Sequence, residues 1–136
     1  MTQLNNHNVG SLSAAVETPT YDRQAVTPGI VHIGVGGFHR AHQAMYVDAL
    51  MNQGEALDWG IVGVGVMPGD KRMQQALAAQ DYLYTLVVKH PNGEYQPRVI
   101  GSMVNYLFAP EDPEAVIETM ADPAIKIVSL TVTEGG

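Results

Sequence analysis

Gly34-Val35-Gly36-Gly37 closes the apolar run Ile30–Val35, and glycines at those positions suit one kind of chemistry. One glycine turns the chain tightly, commonly with φ > 0. Another removes the side chain that would keep backbone N–H groups away from a pyrophosphate. A helix starting near His39 then points its positive end at those phosphates. The spacing departs from G-x-G-x-x-G, because His39 stands where the third glycine would be. Context favours a dinucleotide turn all the same: a strand precedes it, a helix follows, and a second strand lies beyond. The competing reading is an ordinary glycine-rich βα turn with no ligand.

A dinucleotide turn needs an acid after the second strand to take the adenosine ribose hydroxyls. Asp70 is the candidate, further from the glycines than the usual ~20 residues. Its second reading is an N-cap for the helix that follows. Lys71 and Arg72 come next and could meet a 2′-phosphate, so NADP stands beside NAD as a possible coenzyme. Arg40 is read either as a phosphate contact or as a solvated helix residue. Phe38 covers a cofactor or sits in the core, with the core favoured. Tyr46, Met45 and Trp59 read as packing residues. His39 and His42 lie three apart and could share a helical face, but no third metal ligand accompanies them, so no metal site is expected. Glu134, after the last apolar run, reads as a neighbour of nicotinamide or substrate, or as a loop carboxylate in water.

These residues need elements to hold them. Residues 1–29 are polar and broken by Pro19, Pro28 and Gly29, an irregular lead-in to a domain over 30–136. Ile30–Val35 reads as a buried strand, Arg40–Gln53 as a helix with Gly54 as its stop, and Trp59–Met67 as a second buried strand. Asp70–Gln80 is helix-like. Tyr82–Lys89 and Tyr95–Met103 form a hairpin around Pro91-Asn92-Gly93. Pro113–Met120 is a helix capped by Asp112, and Ile125–Val132 another buried strand. The expectation is an α/β fold: a Rossmann-like, doubly wound, mostly parallel sheet with an inserted β-hairpin. Its ligand edge is the C-terminal edge of the strands.

Composition narrows the class. Of 136 residues 46% are hydrophobic, and net charge is −7 with only seven Lys and Arg, which argues against a nucleic-acid partner. No cysteine is present, so disulfides, thiolate metal sites and cysteine nucleophiles are excluded. The N-terminus lacks a signal-like pattern, and no apolar run approaches the ~18 residues of a membrane span. The expected setting is cytoplasmic, with no membrane partner. A strand running into Thr133-Glu134-Gly135-Gly136 reads as a strand entering a loop, so the chain is expected to be a partial domain, the front of a longer protein.

Ile30–Leu50, IVHIGVGGFHRAHQAMYVDAL, resembles the N-terminal segment of the polyol-specific long-chain dehydrogenases, the mannitol dehydrogenase family. So do Asp58–Asp70, Gln80–Leu86 and the closing Ser129–Gly136; the resemblance runs from about Tyr21 to the end of the chain. It implies a metal-independent NAD(P)-dependent oxidoreductase acting on a small polyol or ketose. Gly34, Gly36, Gly37, Phe38, His39 and Arg40 carry over as the cofactor-binding turn. Asp70 aligns with the family's acid after strand two; Gly69 precedes it where some members carry a second acid. The catalytic residue implied is a lysine beyond Gly136, and the second, mostly helical domain is absent here, so the 136 residues alone are expected to be inactive. Gly63-Val64-Gly65 looks most like the segment of family members that act on D-mannitol and D-fructose, so the resemblance implies that substrate pair, with a hexuronate such as fructuronate as the alternative. A regulatory dinucleotide-binding module without catalysis is the rival of another class.

Overall fold

In a computed structural model that describes residues 2–135, the first apolar run forms strand β1, Pro28–Ile33, buried along its centre. Two helices follow, α1 (Gly37–Ala41) and α2 (Gln43–Asn52), and lead to β2 (Gly60–Gly65), buried at every position. A 3-10 turn at Pro68–Asp70 opens into α3 (Lys71–Ala78). Then come β3 (Tyr84–Lys89), β4 (Tyr95–Ile100), β5 (Met103–Phe108), α4 (Pro113–Ala121) and β6 (Ile127–Leu130).

β5, β2, β1 and β6 lie side by side in that order, every pairing parallel. β3 and β4 pair antiparallel as a separate hairpin, in register from Tyr84 opposite Ile100 to Lys89 opposite Tyr95. The chain therefore winds outward from β1 through β2 to β5, then crosses back to the far side of β1 to lay down β6. That return makes the gap between β1 and β6 the topological switch point, where open α/β sheets take their ligands.

Alternation along the strands decides which helix packs on which face. Ile30 and Ile61 join Ala44 of α2 and Leu77 of α3 in one core cluster. Val31, Val62 and Val64 join Val116 of α4 in the other. The doubly wound, mostly parallel reading holds, with the inserted hairpin outside the main sheet.

Four local expectations are corrected. First, the helix expected over Arg40–Gln53 begins earlier, at Gly37, and is broken at His42 (φ −124°, ψ −84°). There the His42 ring donates from Nδ1 to the Phe38 carbonyl at 2.8 Å, while its own amide turns to the His39 carbonyl at 3.3 Å. Second, Tyr95–Met103 is not one strand. It divides at Gly101-Ser102, and the second half becomes β5 of the parallel sheet.

Buried Asp48 explains that division. Its Oδ1 accepts from the Gly101 amide at 2.9 Å and from the Tyr21 hydroxyl at 2.6 Å, while Oδ2 accepts from Arg98 at 2.9 Å and Asn52 at 3.2 Å. Ser102 donates to the Ala44 carbonyl at 2.6 Å, and Arg23 reaches the carbonyls of Gly101, Asp81 and Met103. Burial, with Asp48's charge beside it, pushes the Tyr21 hydroxyl far up.

Third, β6 is not buried: Ile127, Val128 and Leu130 are 44%, 47% and 59% exposed, because β6 pairs only with β1 among the described residues. Fourth, Phe38 is not a core residue. It is 70% exposed and stacks on His42 with ring centroids 4.5 Å apart. Tyr46 is likewise exposed, whereas Met45 and Trp59 do pack against the core. Among the described residues no helix is long and apolar enough to cross a membrane.

Candidate functional site

β1 ends against the switch point and the chain turns at Gly34, whose φ of +95° favours glycine. The Gly34 amide donates to the Val64 carbonyl of β2 at 3.0 Å, and the Gly36 amide to the Gly34 carbonyl at 3.0 Å. Val35 goes into the core, while Gly36 and Gly37 stay at the surface. A Cβ built on either meets no protein atom within 4 Å, so these two positions border open space. Gly36 is the N-cap of α1, and the amides of Gly37, Phe38 and His39 belong to its first turn, with no preceding turn to bond. α1 has only five residues, so these local donors, rather than a long helix dipole, supply what attraction an anion would feel.

Beside the turn, β2 delivers the candidate acid. Asp70 Oδ2 accepts from the amides of Val66 and Met67 at 3.0 and 2.9 Å, which fixes the carboxylate at the end of β2. The side chain makes no cap bond to α3, so the N-cap reading of Asp70 is replaced by that of a clamp on the preceding loop. Gly65 has to be glycine here: a Cβ on it would come within 2.3 Å of the Tyr106 hydroxyl and 2.5 Å of Asp70 Cβ. Burial, with the Asp70 charge next, pushes the Tyr106 hydroxyl up to about 12.

Arg40 bridges the two loops. It is half-buried, donates from Nη1 to Met73 Sδ of α3 at 3.2 Å, and accepts at its carbonyl from the Tyr84 hydroxyl at 2.6 Å. It is thus held against α3 and not simply solvated. His39 behaves differently. Its ring is 1% exposed and stacks flat on His32, centroids 3.9 Å apart and planes 7° apart. Nδ1 donates to Gln43 Oε1 at 2.8 Å, and Nε2 has no partner. Burial, then His32 beside it, lowers the His39 imidazole to about 4 and keeps it neutral. What His39 can give a ligand at the turn is its backbone amide.

Three residues that the sequence reading passed over tie β6 to this turn. His32 Nδ1 meets Ser129 Oγ at 2.8 Å and its Nε2 meets Thr131 Oγ1 at 2.9 Å. Thr131 Oγ1 donates to the Gly34 carbonyl at 3.2 Å, and its amide donates to the Ile33 carbonyl at 3.1 Å. The signal was present in outline, as one polar residue at the third position of each of two apolar segments, Ile30-Val31-His32-Ile33 and Ile127-Val128-Ser129-Leu130. A cavity of about 260 Å³ opens beside this network, lined by His32, His39, Gln43, Thr131 and the exposed Phe38 ring. Glu134 lies exposed in the turn after β6; Gly136, the last residue of that motif, is outside the described residues.

The arrangement fits a dinucleotide. A left-handed glycine, two glycines facing open space, a row of first-turn amides and a fixed carboxylate stand together at the C-terminal edge of a parallel sheet. Among the described residues no group of three or more His, Cys, Asp or Glu could hold a metal ion.

Comparison with known proteins agrees. Residues 28–136 match the family model described as the mannitol dehydrogenase Rossmann domain. Mannitol 2-dehydrogenase of Cereibacter sphaeroides is 57% identical over 125 residues, covering 92% of this chain and 26% of that protein. The enzyme of the same name from Aspergillus fumigatus is 53% identical over 139 residues, covering 98% and 28%. Among solved structures, Pseudomonas fluorescens mannitol 2-dehydrogenase in ternary complex with NAD and D-mannitol superposes with a TM-score of 0.95 at 50% identity, over 99% of this chain and 27% of that one. D-sorbitol dehydrogenase in substrate-free form gives 0.91 at 46% identity, over 98% and 28%. The chain thus spans about a quarter of the length of the relatives it matches.

Proposed function

The chain belongs to the mannitol dehydrogenase family as its Rossmann domain, and from that premise we propose that it holds NAD for the interconversion of a polyol and its ketose, D-mannitol and D-fructose. The observation that carries this reading is the row of unpaired amides at Gly37, Phe38 and His39 beside the switch point, with Asp70 fixed at the end of the neighbouring strand. Gly34 would turn the chain under the pyrophosphate, and Gly36 and Gly37 would let it approach. The first-turn amides and the Arg40 guanidinium would hold its oxygens. Asp70, with Oδ2 committed to the loop, would offer Oδ1 to the ribose hydroxyls. A carboxylate there disfavours a 2′-phosphate, which makes NAD the preferred coenzyme over NADP. Glu134 would stand near the nicotinamide or the substrate.

NAD held by the first-turn amides, Arg40 and Asp70 would supply hydride transfer to and from the carbinol carbon of the polyol. The hydroxyl proton passes to a base, which the family resemblance assigns to a lysine C-terminal to Gly136. This chain's own part is to bind and orient. The Thr131 hydroxyl holds the Gly34 carbonyl and so keeps the turn in place beside β6. A net charge of −7 argues against nucleic acid as a partner, and we place the protein in the cytoplasm.

Calorimetric titration of the full-length protein with NAD and NADP tests the reading. Asp70→Asn should raise the affinity for NADP relative to NAD about tenfold, because it removes a charge while keeping an oxygen for the loop amides. Failure of the wild-type protein to bind NAD would sink the proposal; an unchanged ratio in the variant would leave Asp70 as a loop clamp alone. Faster reduction of D-fructuronate than of D-fructose would move the assignment to a hexuronate reductase.

A further inference from the structure

Lys71 follows Asp70 directly, and its ammonium is already paired. It lies 2.5 Å from Glu111 Oε1 and 5.4 Å from the centroid of the Phe108 ring. Phe108 pairs with Gly65 across β5 and β2, so this cation is held at the strand edge beside the glycine against which Asp70 packs. A 2′-phosphate needs a cation in this neighbourhood, and of the two candidates read from the sequence, Arg72 is exposed and Lys71 is paired. We propose that Glu111 is a specificity-determining positioning residue: by holding Lys71 over Phe108 it withholds the cation that would accept a 2′-phosphate, and so favours NAD over NADP. Asp70 then discriminates by repulsion and Glu111 by sequestering a counter-charge. Glu111 lies 41 residues further along the chain, and only the pairing of β5 with β2 brings it to the site.

This inference rests on the dinucleotide reading above, and its test separates the two. NAD and NADP affinities are measured by titration calorimetry on the full-length protein and on Glu111→Gln, Glu111→Asp and the double variant Glu111→Gln/Lys71→Met. Glu111→Gln should bind NADP about fivefold more tightly, the upper range for a half-exposed ion pair, with NAD affinity unchanged. Glu111→Asp should keep the wild-type ratio. The gain should vanish in the double variant and shrink in high salt. An unchanged NADP-to-NAD ratio in Glu111→Gln, with NAD still bound, would overturn the inference and leave the dinucleotide reading intact. A gain that survives in the double variant would also overturn it, since Glu111 would then act on the phosphate directly. Wild-type protein that bound neither coenzyme would bring down both.

Discussion

Gly36→Ala separates folding from binding at this site. Gly36 has φ −96° and ψ −173°, extended backbone that any residue adopts, and a Cβ there meets nothing within 4 Å. Alanine at such a position gains about 0.4–1 kcal/mol by restricting the unfolded chain. It loses up to about 1 kcal/mol as a poorer N-cap than glycine. The two offset, so the unfolding free energy from urea titration should stay within about 1 kcal/mol of wild type. The added methyl enters the open space over the first-turn amides. If it keeps a phosphate from one charge-assisted hydrogen bond worth about 1.5–3 kcal/mol, NAD affinity falls roughly tenfold to hundredfold.

Gly34→Ala is the contrast, for there φ is +95° and the nearest atom to a built Cβ, Thr131 Cβ, is at an ordinary 3.6 Å. Its cost is conformational, about 1–2 kcal/mol of stability. Urea unfolding and NAD calorimetry on the same preparations read both quantities. Unchanged NAD affinity in Gly36→Ala would refute the placement of the pyrophosphate. A large stability loss in that variant would refute the reasoning that nothing in the fold needs this glycine.

Two further outcomes follow from the buried polar groups. Asp48→Ala removes a fully buried carboxylate from Tyr21, Arg98 and the Gly101 amide, and should cost about 3–5 kcal/mol in denaturant unfolding; a loss under about 1 kcal/mol would refute its role as the hub between α2 and the β4–β5 turn. His39 titrates near 4 when folded against an ordinary value of 6.5, so the unfolded chain binds the extra proton first. Its contribution is therefore full above about pH 6.5 and is lost as pH falls towards 4, a slope worth about 3 kcal/mol at most. His39→Gln should flatten that slope in urea unfolding at stepped pH, and an unchanged slope would assign it to other groups.

Much of the fold was legible because the glycine turn, the capped α4 and the Asn-Gly hairpin turn are local chemistry. Pro113 after Asp112 is a helix-start signal contained in two adjacent residues, and the structure has Asp112 accepting from the Ala115 amide at 3.0 Å. The break at His42 was hidden because it depends on a side chain taking its own helix's carbonyl, which no hydrophobic periodicity reports. The division of β4 from β5 was hidden for a different reason: Gly101 turns where Asp48, 53 residues earlier in the chain, captures its amide.

The candidate site divides in the same way. Residue types and short spacing alone determined that Gly34–Gly37 could turn under a phosphate and that an acid, Asp70, follows the second strand, because those properties belong to backbone freedom and side-chain charge within one loop. Tertiary structure decided the rest. It turned His39 inward onto His32, left Phe38 in the open, locked Asp70 Oδ2 onto two amides and set Glu111 on Lys71. The Asp70 clamp is local to its loop, but the Lys71–Glu111 pair joins segments that only the parallel sheet brings together, and burial exists only once the chain has folded.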